Sequence, residues 1–218
     1  MQNKLWKILV IAGTVLILSA LFLCLYNVKE SNRAYESSQE ALAELVELIP
    51  EPTEKDESTE KTAAQENDLY AQYEEETEEE AVKEMPVIEI DGNIYCGYVS
   101  LPSLNIELPV LNEWSYPNLQ ISPCRYTGDI YNNDMIIAAH NYNSHFGQIK
   151  NLNSGDEIIF TDCEGNIHSY TVCYTEYVDG YDVEHMLEGS KKDWDITLFT
   201  CTIGGKSRVA VRAIKEVE

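Results

Sequence analysis

From Pro86 onwards the sequence consists of short β-branched and apolar runs separated by turn residues, and this pattern constrains the fold more than any other feature. The runs are Val87–Ile90, Ile94–Leu101, Ile106–Leu111, Met135–His140, Glu157–Thr161, Ile167–Val178, Asp195–Cys201 and Ser207–Lys215. Runs of this length and composition are typical of β-strands. About eight strands in about 130 residues, with short helical pieces at Ser115–Leu119 and Val183–Glu188, predict an all-β barrel or sandwich.

A long apolar segment near the N-terminus predicts a membrane anchor. Residues 8–26 form an almost uninterrupted apolar run of close to 20 residues, the length needed to cross the hydrocarbon core. Lys4 and Lys7 precede this run, so the positive-inside rule places Met1 in the cytoplasm and the later residues outside the cell. A cleaved signal peptide is the alternative, but its apolar region is usually shorter. We therefore expect a single-pass cell-membrane protein with its tip and anchor at residues 1–27.

Two segments connect the predicted anchor to the predicted β domain. Alanines and leucines recur among glutamates in Ser31–Leu48, and Ile49-Pro50 ends the run, which predicts a juxtamembrane helix within residues 28–50. Glu51–Met85 contains 14 acidic and 3 basic residues, a net charge of −11, and few large apolar groups. Such a composition predicts an extended acidic linker over residues 51–85. It is either a spacer or, as a second hypothesis, a lid over the domain at residues 86–218.

The overall charge excludes one class of partner. The chain carries a formal net charge of −23. Nucleic-acid binding requires clustered Lys and Arg for phosphate contacts, so we expect no nucleic-acid partner.

The sequence contains six cysteines, which in an extracellular domain raises the question of disulfides. The turn at Asp162–Asn166 predicts a hairpin in which Cys163 lies beside the turn and Cys173 far along the ladder. These two would be about 20 Å apart, beyond disulfide reach. A pair between Cys96 and Cys124 remains open, and buried free thiols are the simpler interpretation for the spare cysteines.

Three groups suited to thiol chemistry lie at predicted strand ends. Cys201 ends one strand, His140 ends another, and Arg208 begins the last. Strand ends can converge on one edge of a β structure, and a cysteine becomes a useful nucleophile where a histidine or another cation favours its thiolate. Arg208, with the exposed backbone that follows Cys201, would stabilise an oxyanion.

Other histidines and a second arginine compete for these roles. His145 is the alternative to His140, and Arg212 lies on the same strand face as Arg208 but further from Cys201. We expect His168 to be exposed on its strand and His185 to be structural. His140 and His145 do not belong to a complete set of metal ligands, so we predict no metal site.

Several motifs occur in the order seen in a known family. The sequence resembles the sortases, cell-surface cysteine transpeptidases, over roughly Ile94–Ile214. The matching stretches are Thr197–Cys201 (Thr-Leu-x-Thr-Cys), Ala138–His140, Arg208–Val211, Leu101–Val110 and His145–Ile149. It departs from the family at Ala139, where glycine is usual, and in the short loop between the cysteine and the arginine.

The resemblance implies a closed eight-stranded β-barrel with short helices and a defined reaction. Cys201 would attack the Thr–Gly carbonyl of an LPxTG-like sorting signal, Arg208 would hold the oxyanion, and His140 would protonate the departing amine. An amine of the cell-wall precursor or of a pilin would then resolve the thioacyl enzyme. Thr200, Ala139 and Asn141 would contact substrate. No cofactor is implied; calcium activates some relatives through acidic loops, but its ligands do not map onto this sequence.

Two other functions compete with this interpretation. Papain-like and L,D-transpeptidase enzymes are also extracellular cysteine enzymes, but the former place cysteine before histidine and the latter use a Ser-x-Gly-Cys signature. An anchored binding domain without catalytic activity is the second competing function. Within the sortases, the sequence lacks an Asp-Pro-aromatic lid motif and a large insertion before Asp195, which favours a general-anchoring or sporulation-type member.

Overall fold

The computed structural model describes residues 2–50, 84–189 and 193–216 and builds them around one sheet. Its strands are β1 (Ile88–Ile90), β2 (Asn93–Leu101), β3 (Ile106–Leu111), β4 (Cys124–Thr127), β5 (Met135–Ala139), β6 (Glu157–Asp162), β7 (Ile167–Asp179), β8 (Ile196–Cys201) and β9 (Ser207–Lys215). The helices are α1 (Gln2–Leu48), α2 (Tyr116–Leu119) and α3 (Val183–Glu188), with 3₁₀ segments at Pro102–Leu104 and Phe146–Asn151.

Eight of the strands close into a barrel. The strand order is β1-β2-β3-β4-β5-β8-β9-β7-β6, and β6 pairs back onto β2. The predicted eight-stranded barrel is therefore confirmed, but its membership differs. β1 is an added edge strand beside β2, whereas β4 was not predicted. With four residues and an arginine among them, β4 is too short to show a period of two.

The two short helices form where the sequence predicted them, because side chains cap their first turns. The Ser115 hydroxyl accepts a hydrogen bond from the Asn118 amide at 3.1 Å. The Asp182 carboxylate accepts one from the His185 amide at 3.0 Å. Both caps satisfy an amide that has no partner within the helix.

The N-terminal helix differs from its prediction. The anchor and the juxtamembrane helix form one continuous helix of 47 residues, about 70 Å long. Its apolar first half is exposed and long enough to cross a membrane. Its second half packs on the barrel, because one face presents Ala34, Ser38, Leu42 and Leu45 at helical spacing. The segment predicted as a juxtamembrane helix is thus helical and is also packed against the barrel.

Most of the acidic linker, residues 51–83, lies outside the described residues. Met85, which the sequence placed in the linker, is only 8% exposed and belongs to the apolar core of the barrel. The packed domain therefore includes at least one residue before Pro86. The cysteines are all free, so Cys96 and Cys124 do not pair, and neither do Cys163 and Cys173.

Candidate functional site

The topology explains how a histidine and a cysteine that are distant in sequence meet. β5 and β8 are parallel neighbours, with Ala139 opposite Thr200. Their carboxyl ends therefore lie at the same edge of the barrel, where His140 follows β5 and Cys201 ends β8. The antiparallel β9 then places Arg208 directly opposite Cys201. Strand alternation puts Cys201, Phe199 and Arg208 on the outer face.

His140, Cys201 and Arg208 line one cavity of about 260 Å³. Its remaining wall is largely apolar and includes Trp114, Tyr116, Tyr126, Val183, Met186 and Phe199. The aromatic rings contact each other: Tyr126 lies edge-on to Phe199, with 5.4 Å between centroids, and to Trp114, at 5.7 Å. The arrangement places a thiol, an imidazole and a guanidinium around one largely apolar cavity.

Arg208 is held by the turn that precedes it. Its Nη1 donates to the carbonyl oxygen of Gly205 at 3.0 Å and to that of Ser207 at 3.3 Å. The turn is tight because Gly204 and Gly205 adopt positive φ angles of 87° and 71°, which other residues rarely tolerate. The guanidinium is thereby held at the wall of the cavity that Cys201 also lines, where it can face a developing negative charge.

His140 is half-buried beside Tyr142, with 4.9 Å between the ring centroids. Burial lowers the pKa of His140 below its ordinary value. A neutral imidazole next to a thiol is able to accept the thiol proton and later return it.

The three residues predicted to bind substrate occupy different environments. Ala139 lines the cavity although it is only 5% exposed. Thr200 is 2% exposed, and its hydroxyl donates to the Ala139 carbonyl at 2.8 Å, so this side chain joins β8 to β5. Asn141 is exposed and is not part of the cavity wall.

The competing residues have other partners. His145 is fully buried, Arg212 is buried under α3, and His185 lies 3.0 Å from Glu176. The expectation that His168 is exposed is wrong, because its side chain is 14% exposed and lies 3.4 Å from the Asp162 carboxylate. Asp162 caps the hairpin turn and draws the imidazole inward.

The sequence did not reveal the aromatic wall of the cavity. Trp114 comes from the loop before α2, Tyr116 from the first position of α2, and Tyr126 from the unpredicted strand β4. The only signal was local: three aromatic residues within thirteen positions of a polar, turn-rich stretch. Without the register of β4 nothing placed them beside Phe199.

The buried thiols are chemically distinct from Cys201. Burial raises the pKa of Cys96, Cys124 and Cys163 to about 12 in each case. A thiol with such a pKa is almost fully protonated near neutral pH and is a poor nucleophile. These three cysteines behave as packing residues, as the sequence suggested.

We expect His145 to make the fold sensitive to acid. Burial lowers its pKa from 6.5 to about 4, with a smaller contribution from nearby His140. Between these values the unfolded chain binds a proton that the folded chain does not, so the free energy of unfolding falls as pH decreases. At pH 4.5 the loss is about 2 kcal/mol. Melting curves at pH 7 and 4.5 should show a smaller acid shift for His145→Gln than for the unchanged protein; equal shifts would contradict the assignment.

A second groove, of about 730 Å³, runs between α1 and the β2–β3 connection and is lined mainly by polar side chains. It contains neither histidine nor cysteine. Within residues 2–50, 84–189 and 193–216, no group of three His, Cys, Asp or Glu side chains is arranged to hold a metal ion.

Comparisons with known proteins place these features in context. A model of the Sortase domain matches residues 99–216. The chain is similar in structure to sortase C1 from Streptococcus agalactiae, with 26% identity and a TM-score of 0.51 over 60% of this chain and 72% of that one. Sortase A from Corynebacterium diphtheriae shares the fold at 20% identity, with a TM-score of 0.52 over 58% of this chain and 62% of that one. A Clostridium perfringens sortase D5 transpeptidase shares the fold at 21% identity, with a TM-score of 0.50 over 56% of this chain and 79% of that one. No curated protein sequence matches significantly.

Proposed function

The chain belongs to the sortase family of cysteine transpeptidases, and on that basis we propose that it cleaves an LPxTG-like sorting signal between Thr and Gly and transfers the surface protein to an amine of the cell-wall precursor. The family membership sets aside the papain-like and L,D-transpeptidase alternatives. The convergence of His140, Cys201 and Arg208 on one cavity carries the proposal against an inactive binding domain.

The first half of the reaction forms a thioester. His140 accepts the proton of the Cys201 thiol as Sγ attacks the threonine carbonyl carbon of the sorting signal, and Arg208 and backbone amides stabilise the oxyanion. The carbon–nitrogen bond to glycine then breaks as His140 donates its proton to the departing amine. The surface protein remains attached to Cys201 as a thioacyl enzyme.

The second half reverses the roles. An amine of the peptidoglycan precursor, or of a pilin lysine, attacks the thioester carbonyl and gives up a proton to His140. The new amide forms, and the Cys201 thiolate leaves and takes back the proton from His140, which restores the starting enzyme. No other reactant is required.

The cavity wall supports this choice of substrate. The leucine and proline of the sorting signal are apolar, and the aromatic surface of Trp114, Tyr126 and Phe199 offers apolar area beside the reacting groups. Ala139 supplies a small side chain at the same wall. Asn141 would contact substrate only outside the cavity, and Thr200 would act through its backbone.

We further propose that residues 8–26 hold the protein in the cell membrane with Met1 in the cytoplasm and the barrel outside. The domain scheme of anchor, juxtamembrane helix, linker and barrel follows the sequence boundaries 1–27, 28–50, 51–85 and 86–218. Sorting-signal proteins and the precursor amine would then meet the enzyme at the extracellular surface of the cell membrane.

The test uses the full chain in detergent micelles with quenched LPxTG-type peptides and an amine acceptor. We expect cleavage after threonine, a thioacyl adduct on the peptide that contains Cys201, and an amide product when the amine is present. Cys173, which is also partly exposed, is the internal control and should carry no adduct. The absence of any adduct across the peptide library, with an intact fold, would favour the inactive binding domain.

The Arg208→Met variant should retain the fold and lose rate. The loss of one oxyanion donor typically lowers kcat by about 10²–10³, and within the described part of the chain the Arg208 side chain donates only to carbonyls of its own turn. Steady-state kinetics with the best peptide provide the measurement. A kcat within about threefold of the unchanged enzyme would remove Arg208 from the reaction.

A further inference from the structure

The second half of α1 is part of the folded catalytic unit. Ala34, Ser38, Leu42 and Leu45 are 4%, 0%, 7% and 0% exposed. The helix also hydrogen-bonds the barrel, since the Gln39 side chain donates to the Glu107 carbonyl of β3 at 3.1 Å. The contact is therefore extensive and specific, unlike that of a passing tether.

Ser38 is the polar centre of this contact. Its hydroxyl donates to the Ile121 carbonyl at 2.7 Å and lies 3.5 Å from the Ser122 hydroxyl and 3.4 Å from His145 Nε2. Ser38, Ser122 and His145 are each fully buried. Burial of polar groups is costly unless they bond to one another, so this cluster fixes where α1 sits.

His145 belongs to the loop that begins with His140. The Tyr142 ring lies between the two imidazoles, at 4.9 Å from the ring of His140 and 5.7 Å from that of His145. Backbone hydrogen bonds close the loop: the His145 amide donates to Tyr142, and the Phe146 amide donates to His140. A shift of His145 would therefore move Tyr142 and, with it, His140.

Two further observations connect α1 to this loop and to the strand ends. Ser31 lies about two helical turns before Ser38. Its hydroxyl is 3.5 Å from the Ser144 hydroxyl. Leu45 shares an apolar cluster with Ala138, which precedes the histidine by two residues, and with Phe199, which precedes the cysteine by two. The helix thus packs in the same apolar cluster as residues that closely precede His140 and Cys201.

We propose that Ser38 and His145 are positioning residues: α1, by docking on His145, holds the loop of His140 in its working orientation. The anchoring helix would then complete the active site as well as attach it to the membrane. The catalytic part of this inference rests on the proposed function of His140, whereas the ordering of the loop does not.

The experiment compares two leucine substitutions in the full chain in detergent micelles. Ser38→Leu inserts a large side chain at the closest contact, whereas Ala43→Leu adds the same side chain at an exposed position of the same helix. Peptide turnover gives kcat and KM, and hydrogen exchange reports on the amides of residues 140–147. Melting temperature monitors the barrel.

We expect Ser38→Leu to lower kcat at least about tenfold, because a misplacement of about 1 Å at a reacting group can cost about 10² in rate. KM should change less than about twofold, because α1 does not line the peptide cavity. Exchange should accelerate in residues 140–147 alone, and Ala43→Leu should match the unchanged protein.

Equal effects of the two variants would overturn the proposal. So would a Ser38→Leu variant in which kcat, KM and exchange across the whole barrel change together, because that pattern indicates general destabilisation. If the unchanged protein shows no turnover, the proposed function fails. Hydrogen exchange then decides alone. Faster exchange of the amides of residues 140–147 in Ser38→Leu supports the role of α1, and unchanged exchange of these amides refutes it.

Discussion

The Cys201→Ala variant is expected to lose at least about 10⁴-fold in kcat/KM for the sorting peptide, because removal of a nucleophile abolishes covalent catalysis. Cys201 is the one cysteine that lines the candidate cavity in the described part of the chain. The buried thiols of Cys96, Cys124 and Cys163, with pKa values of about 12, offer no substitute. Initial rates over a range of peptide concentrations provide the measurement.

Cys173→Ala is the matched control for this prediction. Cys173 is also partly exposed but lies on β7, away from the cavity. We expect its kcat/KM to stay within about twofold of the unchanged enzyme. Substantial turnover by Cys201→Ala, or a comparable loss in Cys173→Ala, would mean that the nucleophile has been misassigned.

The second large effect concerns Arg212, which holds α3 against the barrel. Its guanidinium donates to Glu176 at 3.0 Å, to the Thr197 hydroxyl at 2.8 Å, and to the backbone carbonyls of His185 and Met186 at 3.0 and 2.8 Å. It is fully buried. Arg212→Met removes the buried donor that these acceptors share, above all from the mostly buried Glu176 carboxylate and the Met186 carbonyl, so we expect a loss of about 3–5 kcal/mol in the free energy of unfolding.

This loss should appear as a fall in melting temperature of about 10 °C or more, measured by near-ultraviolet circular dichroism. KM should also rise, because Met186 of α3 lines the cavity. Adding Glu176→Gln should recover part of the stability, since it removes the negative charge that has lost its arginine partner. Arg208→Met, the same substitution on the same strand, should shift the melting temperature by less than about 4 °C; similar shifts in the two variants would contradict the assignment.

The two arginines show where sequence reasoning reaches its limit. Arg208 and Arg212 lie on the same face of β9 because strand alternation has a period of two, and that much follows from the sequence. Which of them faces a substrate depends on α3, a six-residue helix that folds over one and leaves the other beside the cavity. No local pattern encodes that choice.

The histidines give the same lesson with a different cause. His140 and His145 are both polar residues of one loop, and their spacing does not distinguish them. Burial distinguishes them, because α1 covers His145 and leaves His140 half-exposed at the cavity. The contact between Ser38 of α1 and His145 joins residues that are 107 positions apart, and the acidic segment lies between them in the sequence.

By itself the sequence determined the elements and indicated the candidate chemistry: alternating apolar runs specify strands, an apolar run of close to 20 residues specifies a helix that can cross a membrane, and the stretches that end in His140 and Cys201 predict the reacting groups. Only the tertiary structure decided how these parts are combined. It closed the barrel through the short strand β4, docked α1 on the histidine loop, and buried Arg212 while leaving Arg208 at the cavity. Periodicity is a local property of the chain, whereas burial and long-range pairing depend on contacts between residues far apart in sequence.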